Sequence, residues 1–549
     1  MMRLCRASAL LWLFLLFPAK LICAQQAAPA APADNAPTAT LSTITELVLV
    51  PVQVKDGNNP MLGLKKEDFI LRSDRQVQPI RVFEEWASSS STPAIHPASI
   101  ASDTSFSSVP QGGLPQQLLI IAIDLVNTPF LEQGRAKQQL FKYLSEDMPQ
   151  QPFAVVAITR NGLRQIHSFS SDPQVLVNAL RRMQTSTSKD EMRELTLESG
   201  DARQMALAIT EAQIFRVYAE KIAARTTLAA LEQIAQAFGG VPGRKSVIWL
   251  TGGISPILSN PMSGGTGLDT DLLDDFERAF SAMNTANIAI YPVNVNGIGS
   301  SRAGEGPPSA YRNDGLARAG LVSPLADDPA FGIKVLADKT GGKWCTAMTE
   351  LKTCLDQAVE DSTSYYLLGF YVPQQGRKPG WHKLDVRLAS GRGSVRSRSN
   401  YYLASRTEPT PKDVADMMRN AANARIDYTG LAFTVDRLPD SSAGANTAIL
   451  QIRVPASSVV SPSGDKKTLS YDVGVVPLKA DGDLVTNVKV TRLDLSPAQT
   501  ENTLNHGWVI TEPSPPLSSA TAVKYIIRDN ITGRIGSVTV PLHSTATGS

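Results

Sequence analysis

The sequence predicts an α/β fold combined with β domains: a doubly wound sheet inserted in a small β unit, followed by a C-terminal β-sandwich. Three observations carry this. Leu118 to Ile123 is an unbroken apolar run with no polar alternation, the signature of a strand buried on both faces of a parallel sheet. From 116 onward strand-like and helix-like stretches alternate, as crossover helices require. On both sides of that block lie strands with no helices between them, and a few strands cannot bury a core alone.

In chain order, Met1 to Ala24 carries Arg3 and Arg6, then an apolar core from Ala7 to Phe17 and the ending Leu-Ile-Cys-Ala. It reads as a secretory signal peptide cleaved after Ala24. Cys23 raises a lipoprotein alternative, although Ile22 stands where such a site wants a small residue. Residues 25–43, rich in Ala, Pro, Gln and Thr, read as a flexible tether. Residues 44–86 form the N-terminal β unit: Val48, Val50, Val52 and Val54 share one face, Asp56-Gly57 turns the chain, and Pro51 places the strand at a sheet edge. Residues 87–115 are a Ser/Pro-rich linker or solvent loop.

The α/β domain spans 116–362. Strands are expected at 118–123, 153–159, 245–251 and 288–294, with an antiparallel one at 164–169. Helices are expected at 131–147, 173–183, 203–238, 271–286, 330–340 and 348–361, and Gly239-Gly240 stops the longest. Right-handed crossovers bring the loops after Ile123 and after Leu250 to one rim. Residues 363–404 supply three strands that complete the N-terminal β unit, and 405–424 is a Pro-bearing joint. Residues 425–549 show strands at regular spacing, which suits an immunoglobulin-like sandwich.

Composition narrows function. The 549 residues hold 53 basic and 51 acidic side chains, so no strong field draws the chain to nucleic acid or anionic lipid. Past the leader no stretch approaches the ~20 apolar residues of a membrane span, and the signal peptide leads to the expectation of a mature chain in the periplasm, at the outer envelope or outside the cell. After cleavage Cys345 and Cys354 remain, nine positions apart, and in an oxidising compartment they form a disulfide; two buried thiols are the alternative.

Chemistry concentrates at the rim. Asp124 ends the first α/β strand, and Asn127 and Thr128 follow it. The stretch Asp-x-x-Asn-Thr resembles the Asp-x-Ser-x-Ser metal motif of von Willebrand factor type A domains. In that family the site takes a second-loop threonine, for which Thr185 or Thr187 stands here, and a third-loop aspartate, where this chain has Thr251-Gly252-Gly253. A hard cation wants oxygen ligands, and the resemblance implies Mg²⁺ or Mn²⁺ on Asp124, Asn127, Thr128 and Thr187. With Val126 and Gly252 at ligand positions such a site is degenerate. The alternative is that Asp124 caps the next turn.

Other motifs fail. The stretch Gly239-Gly240-Val241-Pro242-Gly243-Arg244-Lys245-Ser246 runs from helix into strand, the reverse of a phosphate loop, and reads as a connector with a basic surface pair. Gly264-Gly265-Thr266-Gly267 reads as a flexible loop. No Gly-x-Ser-x-Gly elbow occurs, and Asp274-Asp275 and Asp327-Asp328 read as solvated faces. An enzyme is not expected.

Several segments taken together resemble a family. These are Leu62-Gly63-Leu64-Lys65-Lys66-Glu67-Asp68-Phe69, Gln78-Pro79-Ile80, Ile123-Asp124, Ser171-Asp172-Pro173, Leu336-Ala337-Asp338-Lys339-Thr340-Gly341-Gly342, Tyr365-Tyr366-Leu367-Leu368-Gly369-Phe370 and His382-Lys383-Leu384-Asp385-Val386. In this order they resemble the exported VWFA-related proteins abundant in Acidobacteria, over residues 44–404. The resemblance implies a non-enzymatic binding or adhesion protein, whose rim of Asp124, Asn127, Thr128, Gly252 and Gly253 engages a protein or extracellular polymer. The competing expectation is a structural or scaffold protein of the envelope, with a vestigial metal site and assembly through its β domains.

Overall fold

A computed structural model of the chain describes residues 45–57, 59–87, 105–108, 118–146, 153–170, 178, 181, 202–241, 243–255, 258–260, 267–269, 271–295, 329–345, 351–373, 379–403, 409–438, 448–460, 468–480, 482–514 and 520–542. The fold is mixed, with one mostly parallel sheet among several antiparallel ones.

The parallel sheet has the strand order Ile288–Asn294, Lys245–Thr251, Leu118–Asp124, Phe153–Thr159, Gly162–Ser170. The first four run parallel and the last antiparallel. Every residue of Leu118–Asp124, Lys245–Thr251 and Ile288–Asn294 is buried, because alternate side chains enter two different cores. Leu118, Ile120 and Ala122 pack with Leu231, Ile234, Phe276 and Leu336, from helices Ala202–Phe238, Leu273–Thr285 and Pro329–Thr340. Leu119, Ile121 and Ile123 pack with Leu140, Leu144, Leu355 and Ala358, from helices Phe130–Glu146 and Leu351–Thr363. Helices thus cover both faces. The helix expected over 173–183 lies outside the described residues except for Asn178 and Arg181. Cys345 pairs with Val293 at the sheet edge and is disulfide-bonded to Cys354 on the last of these helices, Cα–Cα 6.4 Å.

The strands before and after this block pair with each other. Thr45–Asp56 runs antiparallel to Tyr365–Pro373, with Thr45 opposite Pro373 and Val52 opposite Tyr366, and Val82–Trp86 takes the far side of Tyr365–Pro373. Phe69–Ser73 pairs with Gly380–Leu388 in a second sheet, and one core that includes Val50, Phe69, Leu368 and Val386 joins the two. The strand carrying Pro51 is internal in sheet order, contrary to the edge position expected. Pro51 is tolerated because the neighbour Ser394–Ser397 reaches only Val52 to Lys55, so no partner on that side needs an N–H from residue 51.

Residues 434–542, with one strand from earlier in the chain, build two further four-stranded antiparallel sheets around Val435, Leu450, Tyr471, Trp508, Tyr525 and Val538. One correction arises here. Ser105–Ser107, inside the stretch read as a linker, forms a strand against Thr434–Leu438; Phe106 packs on the core and Ser105 Oγ donates to Asp436 Oδ1 at 2.6 Å. The helix Pro497–His506 starts with a capping box, Ser496 with Gln499. This C-terminal part is docked on the α/β domain: Met418, Tyr428, Val476 and Ile526 share a core with the long helix, and Thr429 Oγ1 donates to Ala237 O at 2.6 Å.

Candidate functional site

Asp124 sits at the carboxyl tip of the central strand, where ligands of such sheets bind, yet its carboxylate faces inward and is fully buried. Oδ1 accepts from the backbone N–H of Val126 and of Asn127, both at 3.0 Å. This is an Asx-type turn that ends the strand and redirects the chain. Oδ2 accepts from Asn127 Nδ2 at 3.0 Å, Thr251 Oγ1 at 2.9 Å and Thr227 Oγ1 at 3.3 Å. Burial pushes the carboxyl above its ordinary range, and the hydrogen bonds from Asn127, Thr251 and Val126 pull it back.

The partners are fixed in turn. Asn127 Nδ2 also donates to Thr227 Oγ1 at 2.8 Å. Gln133 Nε2 donates to Leu125 O at 3.0 Å and Thr128 O at 2.9 Å, tying the corner to the helix it starts. Gly253 donates its N–H to Thr251 Oγ1 at 3.0 Å with φ +95°, a conformation that favours glycine. The corner therefore joins the strands Leu118–Asp124 and Lys245–Thr251 and the long helix through one carboxylate.

Of the residues read from the sequence, Asp124, Asn127, Thr128 and the Gly252-Gly253 loop come together, while Thr185 and Thr187 lie outside the described residues. Thr227 was not anticipated. Its signal is a single hydroxyl on the inward face of a helix whose other inward residues are Ala223, Ala224, Leu228 and Leu231. Asn127 Oδ1 and Thr128 Oγ1 are buried without a hydrogen-bond partner among the described residues.

The set does not fit a divalent cation. Such a metal needs carboxylate and hydroxyl lone pairs turned toward it, whereas five N–H and O–H donors occupy the Asp124 oxygens, and the hydroxyl oxygens of Thr227 and Thr251 accept from Asn127 Nδ2 and the Gly253 N–H. Among the described residues no group of three or more His, Cys, Asp or Glu side chains is placed to hold a metal.

A second polar network lies at the opposite end of the same strands, and it corrects the reading of Arg244 and Lys245 as a basic surface pair, since both are buried. Arg244 Nη2 donates to Gly341 O at 2.7 Å and Tyr291 OH at 3.2 Å; Tyr291 OH donates to Asp361 Oδ2 at 2.6 Å, and Asp361 also pairs with Arg396. Lys245 Nζ donates to Val241 O at 2.6 Å and Gly243 O at 3.1 Å, and burial pulls its ammonium down to about 7. These groups join the α/β domain to the strands at 394–397 and are structural. Asp275 of the Asp274-Asp275 pair accepts from Arg225 Nε at 3.0 Å, and Asp327-Asp328 lies outside the described residues.

Among the described residues no helix is long and apolar enough to cross a membrane. No family model matches the chain, and no curated protein matches it. Among solved structures, the human COPII-coat protein Sec24c is similar at 12% identity and a TM-score of 0.21, over 58% of this chain and 48% of its own. The chain thus spans about half the length of that protein, and a likeness of this size has no bearing on fold family or function.

Proposed function

We propose that the chain is an exported, non-enzymatic interaction protein, built from a von Willebrand factor type A-like domain and an immunoglobulin-like sandwich, that engages a protein or extracellular polymer without a metal ion. The observation that carries the metal-independent part is the Asp124 carboxylate, buried and held by five donors of its own chain. In this reading the strand-tip corner is a structural knot rather than a ligand clasp. Beside it the rim offers apolar contact area: Phe130 and Leu131, at the start of the helix after the corner, are exposed. Exposed aromatic and aliphatic side chains at a rim suit a protein surface.

Calorimetric titration of the chain from residue 25 onward with Mg²⁺, Mn²⁺ and Ca²⁺ tests this. No binding heat is expected up to millimolar metal. Heat that vanishes in Asp124→Ala would instead establish metal-dependent adhesion.

A further inference from the structure

Two guanidiniums are buried where the α/β domain meets the N-terminal β unit, and among the described residues neither has a carboxylate at hydrogen-bond range. Arg244, at the entry of the strand Lys245–Thr251, is 1% exposed, and Arg398, just past the strand Ser394–Ser397, is 6% exposed. Their acceptors are neutral. Arg244 Nη2 donates to Gly341 O at 2.7 Å and Tyr291 OH at 3.2 Å, while Arg398 Nη1 donates to Asn284 O at 3.2 Å and its Nη2 to Leu49 O at 2.7 Å. The neighbouring carboxylate is already engaged, since Asp361 pairs with Arg396 and accepts from Tyr291 OH at 2.6 Å and Gln357 Nε2 at 2.9 Å. Arg396 is therefore balanced, and Arg244 and Arg398 are not.

The two arginines share the Gly341 backbone. Gly341 O takes Arg244, and a Cβ on Gly341 would fall 3.0 Å from Arg398 N and 3.5 Å from Arg398 Cβ. Arg244 Nε, Arg398 Nε and Asn284 Nδ2 are buried donors with no acceptor among the described residues, and Asn284 is the residue whose carbonyl holds Arg398. Burial, and after it the charge of Arg244, pull the Arg398 guanidinium down to about 10. Orphaned buried donors are rare in folded proteins, and a buried charge without a counter-ion is costlier still. Water can accept an N–H, but it does not neutralise two like charges.

We propose that a small monovalent anion, of the kind of chloride, binds between Arg244 and Arg398 and neutralises the pair. Arg398 spends both Nη atoms, and Arg244 its Nη2, on carbonyl and hydroxyl oxygens. That removes the two-pronged grip by which arginine holds phosphate or carboxylate, and the single Nε–H groups left over suit a monatomic ion. Close packing points the same way, because a Cβ on Gly342 would fall 1.8 Å from Ile290 O, so the turn beside the arginines is pressed against the sheet. Arg244 and Asn284 belong to the α/β domain, whereas Leu49 and Arg398 belong to the β unit. The ion thus makes the docking of these two parts anion-dependent.

Urea unfolding of the full chain at constant ionic strength, with gluconate exchanged for chloride, gives the test. The midpoint is expected to rise with chloride, and well above half-saturation each tenfold increase in chloride should lower the unfolding equilibrium constant about tenfold. Arg398→Met removes one of the two charges, and its midpoint should not respond to the exchange. A wild-type midpoint indifferent to chloride, or a variant that responds as the wild type does, would overturn the proposal. If the variant does not fold, wild-type crystals grown in bromide decide: anomalous density between Arg244 and Arg398 is expected, and its absence there refutes the site. With metal titrations compared at equal chloride, this result and the metal-independent reading can fail separately.

Discussion

At the scale of single residues, the Asp124 carboxylate and the Lys245 ammonium are buried, and the hydrogen bonds that hold each come from neutral groups. Lys245 makes a testable case. Burial lowers its folded value from 10.5 to about 7, so between those limits the unfolded chain binds more protons than the folded one, and stability must rise with pH across that window. Below about pH 7 both states carry the proton and the burial penalty is fully present. The urea midpoint of the wild type is therefore expected to climb from pH 7 toward pH 10 relative to that of Lys245→Met; parallel curves would refute the assignment. The sequence pointed to Asp124 because an apolar run ended in it, but not to its burial. Whether an Asp at a strand tip faces solvent or its own turn depends on donors distant in sequence, here Thr227 and Thr251. The same limit applied to Arg244 and Lys245, whose acceptors are backbone carbonyls that no pattern reveals.

Among elements, long apolar ones were legible and short polar ones were not. The strands 153–159, 245–251 and 288–294 have the bounds their sequence suggests, because a fully buried strand is apolar throughout. Thr434–Leu438 and Ser105–Ser107 are too polar or too short to announce themselves, and they are strands because neighbouring strands need pairing. The joint between the long helix and the C-terminal sheets is similarly invisible in sequence. A Cβ on Gly240 would fall 1.8 Å from Thr429 O. Gly240→Ala should thus destabilise by roughly 2–4 kcal/mol in denaturant unfolding. Gly134→Ala, where a Cβ meets open space, should be neutral or gain about 0.5–1 kcal/mol. Equal effects at the two sites would contradict the close docking.

Over the whole molecule, strand pairing explains why distant segments depend on one another. Thr45–Asp56 and Tyr365–Pro373 complete each other's sheet across more than 300 residues, and the Arg244 network and Thr429 then fix the α/β domain against the two β parts, while the disulfide ties the last α/β helix to the sheet edge. In such an assembly the Asp124 corner matters for stability, because it ties two strands and the long helix together. The most direct measurement is urea unfolding of the wild type and Asp124→Asn, each with and without millimolar Mg²⁺. A structural knot predicts that the substitution costs about 2–4 kcal/mol, since an amide would present N–H groups to the donors, and that Mg²⁺ moves neither midpoint. A metal site predicts that Mg²⁺ raises the wild-type midpoint by mass action and leaves the variant unchanged, and that result would contradict the central claim.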